Sequence, residues 1–150
     1  MLSTSLTKTQ AALLLFFQDS ERKVDPIRIM KGLFIFSMEA PEAWFPKDER
    51  YSFIAYSYGP YSRQVDVDLD RLTLKGYLQT SRAPGKTWSY YTLSESGKSA
   101  AKELQTSIDP KAVNYLHQVR EFVLGLTFRR LLDTVYARYP DYAVNSVFKK

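Results

Sequence analysis

YSFIAYSYGPYSRQVDVDLDRLTLKGYLQTSRAPGKTWSYYTL, running from Tyr51 to Leu93, carries the signals of a strand, a turn, a helix and a two-stranded hairpin. Residues 52–58 are aromatic, β-branched and uncharged, which predicts a short strand. Gly59-Pro60 is expected to stop it, because proline has no N–H for a ladder and restricts the residue before it. Val65, Leu69 and Leu72 then recur at i, i+4 and i+7, the apolar stripe of a helix. Gly76 stands where a helix-terminating glycine belongs. Residues 77–80 and 87–93 read as two strands around Arg82-Ala83-Pro84-Gly85-Lys86, and proline followed by glycine predicts a type II turn. Helix, strand, turn, strand is the second half of a winged helix-turn-helix domain.

Outward from that unit, the order of elements extends in both directions. Upstream, Thr7-x-x-Gln10 has the form of a capping box, opening a helix over about residues 8–18. Asp25-Pro26 starts a second helix, expected to end near Glu39. Ile27, Met30, Leu33, Phe34 and Met38 form its apolar face, with Arg28 and Lys31 expected outside. Residues 40–50 read as a loop whose Trp44 and Phe45 fold back onto the core. Downstream, Ser94 caps a helix over 95–105, and Asp109-Pro110 opens another that Gly125 interrupts. Thr127 caps a last helix, Pro140 ends it, and residues 142–150 are left as a tail. The expected fold class is α+β and mostly helical. A winged-helix domain over 1–105 is followed by a C-terminal helical extension over 106–150 that belongs to the same compact unit.

The chain of 150 residues has no cysteine, which removes disulfides, thiol nucleophiles and thiolate metal sites. His117 is the only histidine, so a multi-histidine metal site or histidine-based triad cannot form within one chain. Its apolar neighbours suggest a packing or surface residue. Asp66, Asp68 and Asp70 have the spacing that begins a calcium loop, but Arg71 and Tyr77 stand where such a loop needs glycine and glutamate. A solvated acidic face is the expectation. Phosphate loops and nucleophile elbows are absent, so neither an enzyme nor a cofactor is expected. The apolar run at residues 11–17 is too short to span a bilayer, and a cytoplasmic protein with no membrane partner is the default.

The net charge is +5, and residues 1–78 hold ten basic and ten acidic residues. The excess therefore lies in the hairpin and the segments after it. If the central helix enters a DNA groove, Ser62, Arg63 and Gln64 occupy the end that makes base contacts. Arg82 and Lys86 at the hairpin tip, with Thr87 and Trp88, suit phosphate. Against this, the helix carries three aspartates, which phosphate repels. Two readings follow. One is a DNA-binding transcriptional regulator; the other is a winged-helix scaffold for protein contacts. Apolar positions across Val113–Val135 exceed what a small wing domain needs, and predict a homodimer.

Tyr58-Gly59-Pro60-Tyr61-Ser62, Asp68-Leu69 with Leu72, Gly76-Tyr77-Leu78, and Tyr91-Thr92-Leu93-Ser94 with Gly97 together resemble YwgA-type bacterial proteins. More distantly they resemble the SocA-like (Panacea) antitoxin-related family. The resemblance covers residues 7–105, and the ending from Tyr139 to Ser146 is similar to the tail of some such proteins. It implies a winged-helix fold, a link to toxin–antitoxin or phage-defence loci with a partner from the same locus, and no catalytic residues.

Overall fold

The computed structural model describes residues 6–147. The fold is α+β and mostly helical, with six α-helices and two small antiparallel sheets of two strands among those residues. Helix α1 (Lys8–Phe16) begins with both arms of the capping box: Thr7 Oγ1 accepts the Gln10 N–H at 3.1 Å, and Gln10 Oε1 accepts the Thr7 N–H at 3.1 Å. Almost the whole of α1 is apolar and buried, so it is the central rod of the core. Helix α2 (Pro26–Glu39) is capped by Asp25, and α5 (Pro110–Leu124) packs against both α1 and α2. Helices α4 (Glu95–Leu104) and α6 (Phe128–Arg138) complete the helical body, with Ser94 and Thr127 accepting the expected cap bonds.

Helix C-termini leave carbonyls without partners, and three arginines supply donors to them from elsewhere in the chain. Arg120, on α5, donates to the Phe16 and Gln18 carbonyls at the end of α1. Arg50 donates to the Ser37 and Ala40 carbonyls at the end of α2. Arg28 donates to the Val123 and Leu126 carbonyls at the end of α5. These guanidiniums hold helices together and are held in turn, which takes them out of the charge available to a partner.

The segment before the central helix departs from expectation. Instead of one strand ended by Gly59-Pro60, β1 (Ile54–Tyr56) turns back into β2 (Gly59–Tyr61), pairing Ala55 with Pro60. Gly59 makes the reversal possible. Its φ is +92°, and an added Cβ would lie 2.7 Å from the Tyr136 ring, so the position excludes a side chain on both counts. Two other expectations fail nearby. Lys31 is 2% exposed rather than outside the second helix, and its Nζ donates to the Pro60 carbonyl at 3.1 Å. Met38, expected inside, is exposed because α2 presents that side to solvent near its end.

The second sheet consists of β3 (Leu78–Arg82) and β4 (Ser89–Leu93), in register from Leu78–Leu93 to Arg82–Ser89. Val24, between α1 and α2, adds a single bridge to Tyr91 on β4, exchanging bonds of 3.0 and 2.9 Å. The strand beginning therefore runs Val24, β4, β3. Gly97 lets α4 pack under it, since a Cβ there would fall 2.0 Å from the Tyr77 carbonyl oxygen. Trp44 and Phe45 fold onto the core as expected, Phe45 meeting Phe36 edge to face.

The ending is not loose as far as it is described. Tyr139 and Tyr142 meet Phe34 edge to face, and Val147 N–H donates to the Ser57 carbonyl at 2.9 Å. Residues 148–150 of the expected tail lie outside the described residues. Of the apolar positions that suggested a dimer, Val113, Leu116, Val119, Val123, Leu131, Leu132 and Val135 are buried within the chain itself. Phe122 and Phe128 remain exposed. The surplus that motivated a homodimer is thus mostly absorbed by α1 and α2.

Candidate nucleic-acid interface

Helix α3 (Arg63–Leu74) starts and stops where local chemistry directs. Ser62 Oγ accepts the Val65 N–H, and the Ser62 N–H donates to Met30 Sδ at 3.3 Å. At the other end Gly76 takes φ +85°, with Tyr77 N–H bonded to the Leu72 carbonyl and Gly76 N–H to that of Thr73. That pair of bonds is a complete Schellman motif, and it delivers the chain into β3. Val65, Leu69 and Leu72 are buried as the stripe predicts, leaving Arg63, Asp70, Arg71 and Leu74 to solvent.

Asp68 overturns the idea of a solvated acidic face. It is fully buried on the packing side of α3. Its carboxylate accepts from Gln10 Nε2 at 3.0 Å, Tyr51 Oη at 2.8 Å and Gln64 Nε2 at 2.9 Å. Three donors offset the cost of removing it from water. Burial and the adjacent carboxylate push the Tyr51 phenol well above its ordinary pKa. Asp66 accepts from Tyr61 Oη at 2.6 Å, and that bond raises the tyrosine pKa to about 12. Only Asp70 is left exposed without a hydrogen-bonded partner among the described residues. The three aspartates do not converge, and no cluster of acidic or histidine side chains suited to a metal occurs among the described residues.

The expected contact residues divide accordingly. Ser62 is buried and serves as the helix cap. Gln64 is exposed, yet its amide is tied to Asp68. Arg63 is exposed at the N-terminal end of α3. Arg82, Lys86 and Thr87 are exposed at the hairpin tip, where Lys86 N–H bonds to the Ala83 carbonyl and Gly85 has φ +69°, as a type II turn requires. Arg82 Nε donates to the Lys86 carbonyl at 3.2 Å, which props its guanidinium over the turn. Trp88 is half-buried and lies edge to face with Tyr90, at 5.0 Å. Strand alternation sends Tyr91 to the opposite face. There burial raises its pKa, with Asp70 and Asp66 of α3 adding to the effect. Trp88 therefore faces away from α3.

Arg71 and Lys75 were not expected to matter, and both are exposed. The signal was legible, because 63, 67, 71 and 75 are spaced by four and form one row along a helix. Together with Arg82 and Lys86 they give the α3 and hairpin surface five exposed cations against Asp70 and the Tyr61-bonded Asp66. His117 is elsewhere, half-buried, with Nε2 at 3.1 Å from the Leu15 carbonyl oxygen. Burial and then Arg120 lower its pKa, as befits a packing residue. No helix among the described residues is long and apolar enough to cross a membrane. Searches of family models and of curated protein sequences match nothing to this chain.

Proposed function

We propose that the chain is a winged helix-turn-helix protein that binds double-stranded DNA through α3 and the β3–β4 hairpin, acting as a transcriptional regulator. The observation that carries this reading is that Arg63, Arg71 and Lys75 along α3 and Arg82 and Lys86 on the hairpin are all exposed, with Asp68 withdrawn into the core. The withdrawal takes one of the three carboxylates that counted against DNA off the face that would meet phosphate. Support for the winged-helix assignment comes from the order α1, Val24, α2, α3, β3, β4, with Val24 pairing to β4. That is the order of helices, short first strand and wing in such domains. Fluorescence anisotropy of a random-sequence duplex at low salt tests the reading, and saturable binding is expected. Absence of binding transfers the lead to the second reading.

That second reading is a non-enzymatic subunit of a defence or antitoxin complex, docking a protein. It is favoured by the hairpin of β1 and β2, which exposes Ile54 at 61%, Tyr56 at 53% and Tyr58 at 43% beside the start of α3. Exposed apolar groups gathered on one short hairpin are the kind of surface that a partner covers. They also stand where a short turn joins the two helices in a simple helix-turn-helix.

A further inference from the structure

The face of the β3–β4 hairpin turned away from α3 forms one wall of a groove of which the duplex reading uses Lys86 alone. Its volume is about 510 Å³, within the range of small-molecule sites, and its surface is largely apolar, from Pro26, Ile27, Trp88, Tyr90 and Phe128. Lys86 lies at its edge. Lys23 sets its Nζ 5.0 Å from the centre of the Tyr90 ring. Neither lysine has a carboxylate partner among the described residues. The one acidic residue lining the groove is Asp25, and both its oxygens are engaged, Oδ1 with Arg28 Nη1 at 2.9 Å and Oδ2 with the Arg28 N–H at 3.1 Å. The groove thus offers aromatic surface and the Lys86 ammonium, with the Lys23 ammonium over the Tyr90 ring beside it and its single carboxylate already neutralised.

A ligand that satisfies both features is planar, aromatic and anionic. We propose that this groove binds a nucleotide, the base against Trp88 and Tyr90 and the phosphate between Lys23 and Lys86. Stacking accepts any base, because each has a π-face, and the lysines act on phosphate as point charges. The same chemistry is carried by a free mononucleotide and by one unit of a single strand. The groove shares Lys86 with the proposed duplex surface, but Trp88 and Tyr90 lie on the face of the hairpin turned away from α3, so variants at Lys23 and Trp88 test it apart from duplex binding.

Titration calorimetry of the full chain with adenosine monophosphate, adenosine and hexadeoxythymidylate tests the proposal. Adenosine monophosphate should bind with a dissociation constant of roughly 1 mM or tighter, and adenosine at least about tenfold more weakly, for want of the phosphate. Trp88→Leu should abolish the heat, and Lys23→Ala should weaken binding about threefold to tenfold with unfolding temperature unchanged. Lys23 is at the surface, so this variant keeps the test valid if Trp88→Leu fails to fold. Tighter binding of the hexamer than of the mononucleotide assigns the ligand to single strands, and equal binding assigns it to free nucleotides; both uphold the site. Adenosine binding as well as its phosphate, no saturable heat from any probe, or Lys23→Ala indistinguishable from the wild type overturns it.

Discussion

Lys31 is the residue whose setting departs furthest from ordinary surface chemistry. Its ammonium is buried against the Pro60 carbonyl, and burial lowers its pKa to about 8. The folded chain therefore loses this proton well before the unfolded chain does. Below both pKa values the charged form is buried at a cost; between about 8 and 10.5 the unfolded state still binds the proton and the folded state does not. Stability from this group must rise with pH across that window, by an amount on the order of 3 kcal/mol at its upper limit. Unfolding temperatures measured from pH 7.5 to 9.5 should climb in the wild type relative to Lys31→Met. Parallel profiles would show that Lys31 titrates normally. Two glycines give a second comparison at this scale. Gly76 has positive φ but open space around it, so Gly76→Ala should cost about 1–2 kcal/mol for backbone strain alone. At Gly97 the added methyl meets a backbone oxygen that cannot rotate away, so Gly97→Ala should cost more. Chemical denaturation of the two variants checks the ranking, and equal losses would contradict it.

Among the elements, the proposed DNA binding would give α3 and the hairpin separable duties. Arg63 stands at the N-terminal end of α3, where its planar fork can meet guanine O6 and N7. Arg63→Ala should cost about 1–3 kcal/mol on a specific site and little on random duplex. Titrations on both DNAs measure that difference, and an equal loss on each would assign Arg63 to phosphate. How far these elements were legible follows from where their information resides. Caps, the type II turn and the apolar stripe are local, so Thr7, Asp25, Gly76, Pro84 and Ser94 could be read directly, whereas Ser62 was expected to meet DNA and caps α3 instead. The hairpin of β1 and β2 was hidden because its signal is a single glycine, which takes a left-handed backbone and leaves room for Tyr136, far along the chain. Asp68 and Lys31 look like surface charges in sequence. Their burial depends on donors and acceptors brought from α1, Tyr51 and Pro60, which no periodicity reports. Val24 is a single bridging residue, too short for any strand pattern.

For the whole molecule, the net charge of +5 is a poor guide until its members are sorted. Arg28, Arg50 and Arg120 bond to helix-terminal carbonyls, whereas Arg63, Arg71, Lys75, Arg82 and Lys86 lie exposed on α3, its end and the hairpin. The apolar side chains of α5 and α6 are mostly consumed by the core of their own chain. Sedimentation at tens of micromolar, on the order used to expose weak pairing, should accordingly give a monomer in the absence of DNA. A dimer would point to Phe122 and the neighbouring exposed surface. Chelator should leave the unfolding temperature unchanged, and a drop of several degrees would reveal a metal.

If the α3 and hairpin surface neutralises DNA phosphates as proposed, the salt dependence of binding reads it directly. Random-sequence duplex should be titrated with the wild type and with Arg82→Ala/Lys86→Ala over a salt series from about 50 to 200 mM. Each phosphate contact releases condensed counterions, so the logarithm of the binding constant should fall linearly with the logarithm of salt. The account predicts a slope shallower by about two in the double variant, with both lines converging as salt rises. Parallel lines of equal slope, or no binding by the wild type at the lowest salt, would contradict it.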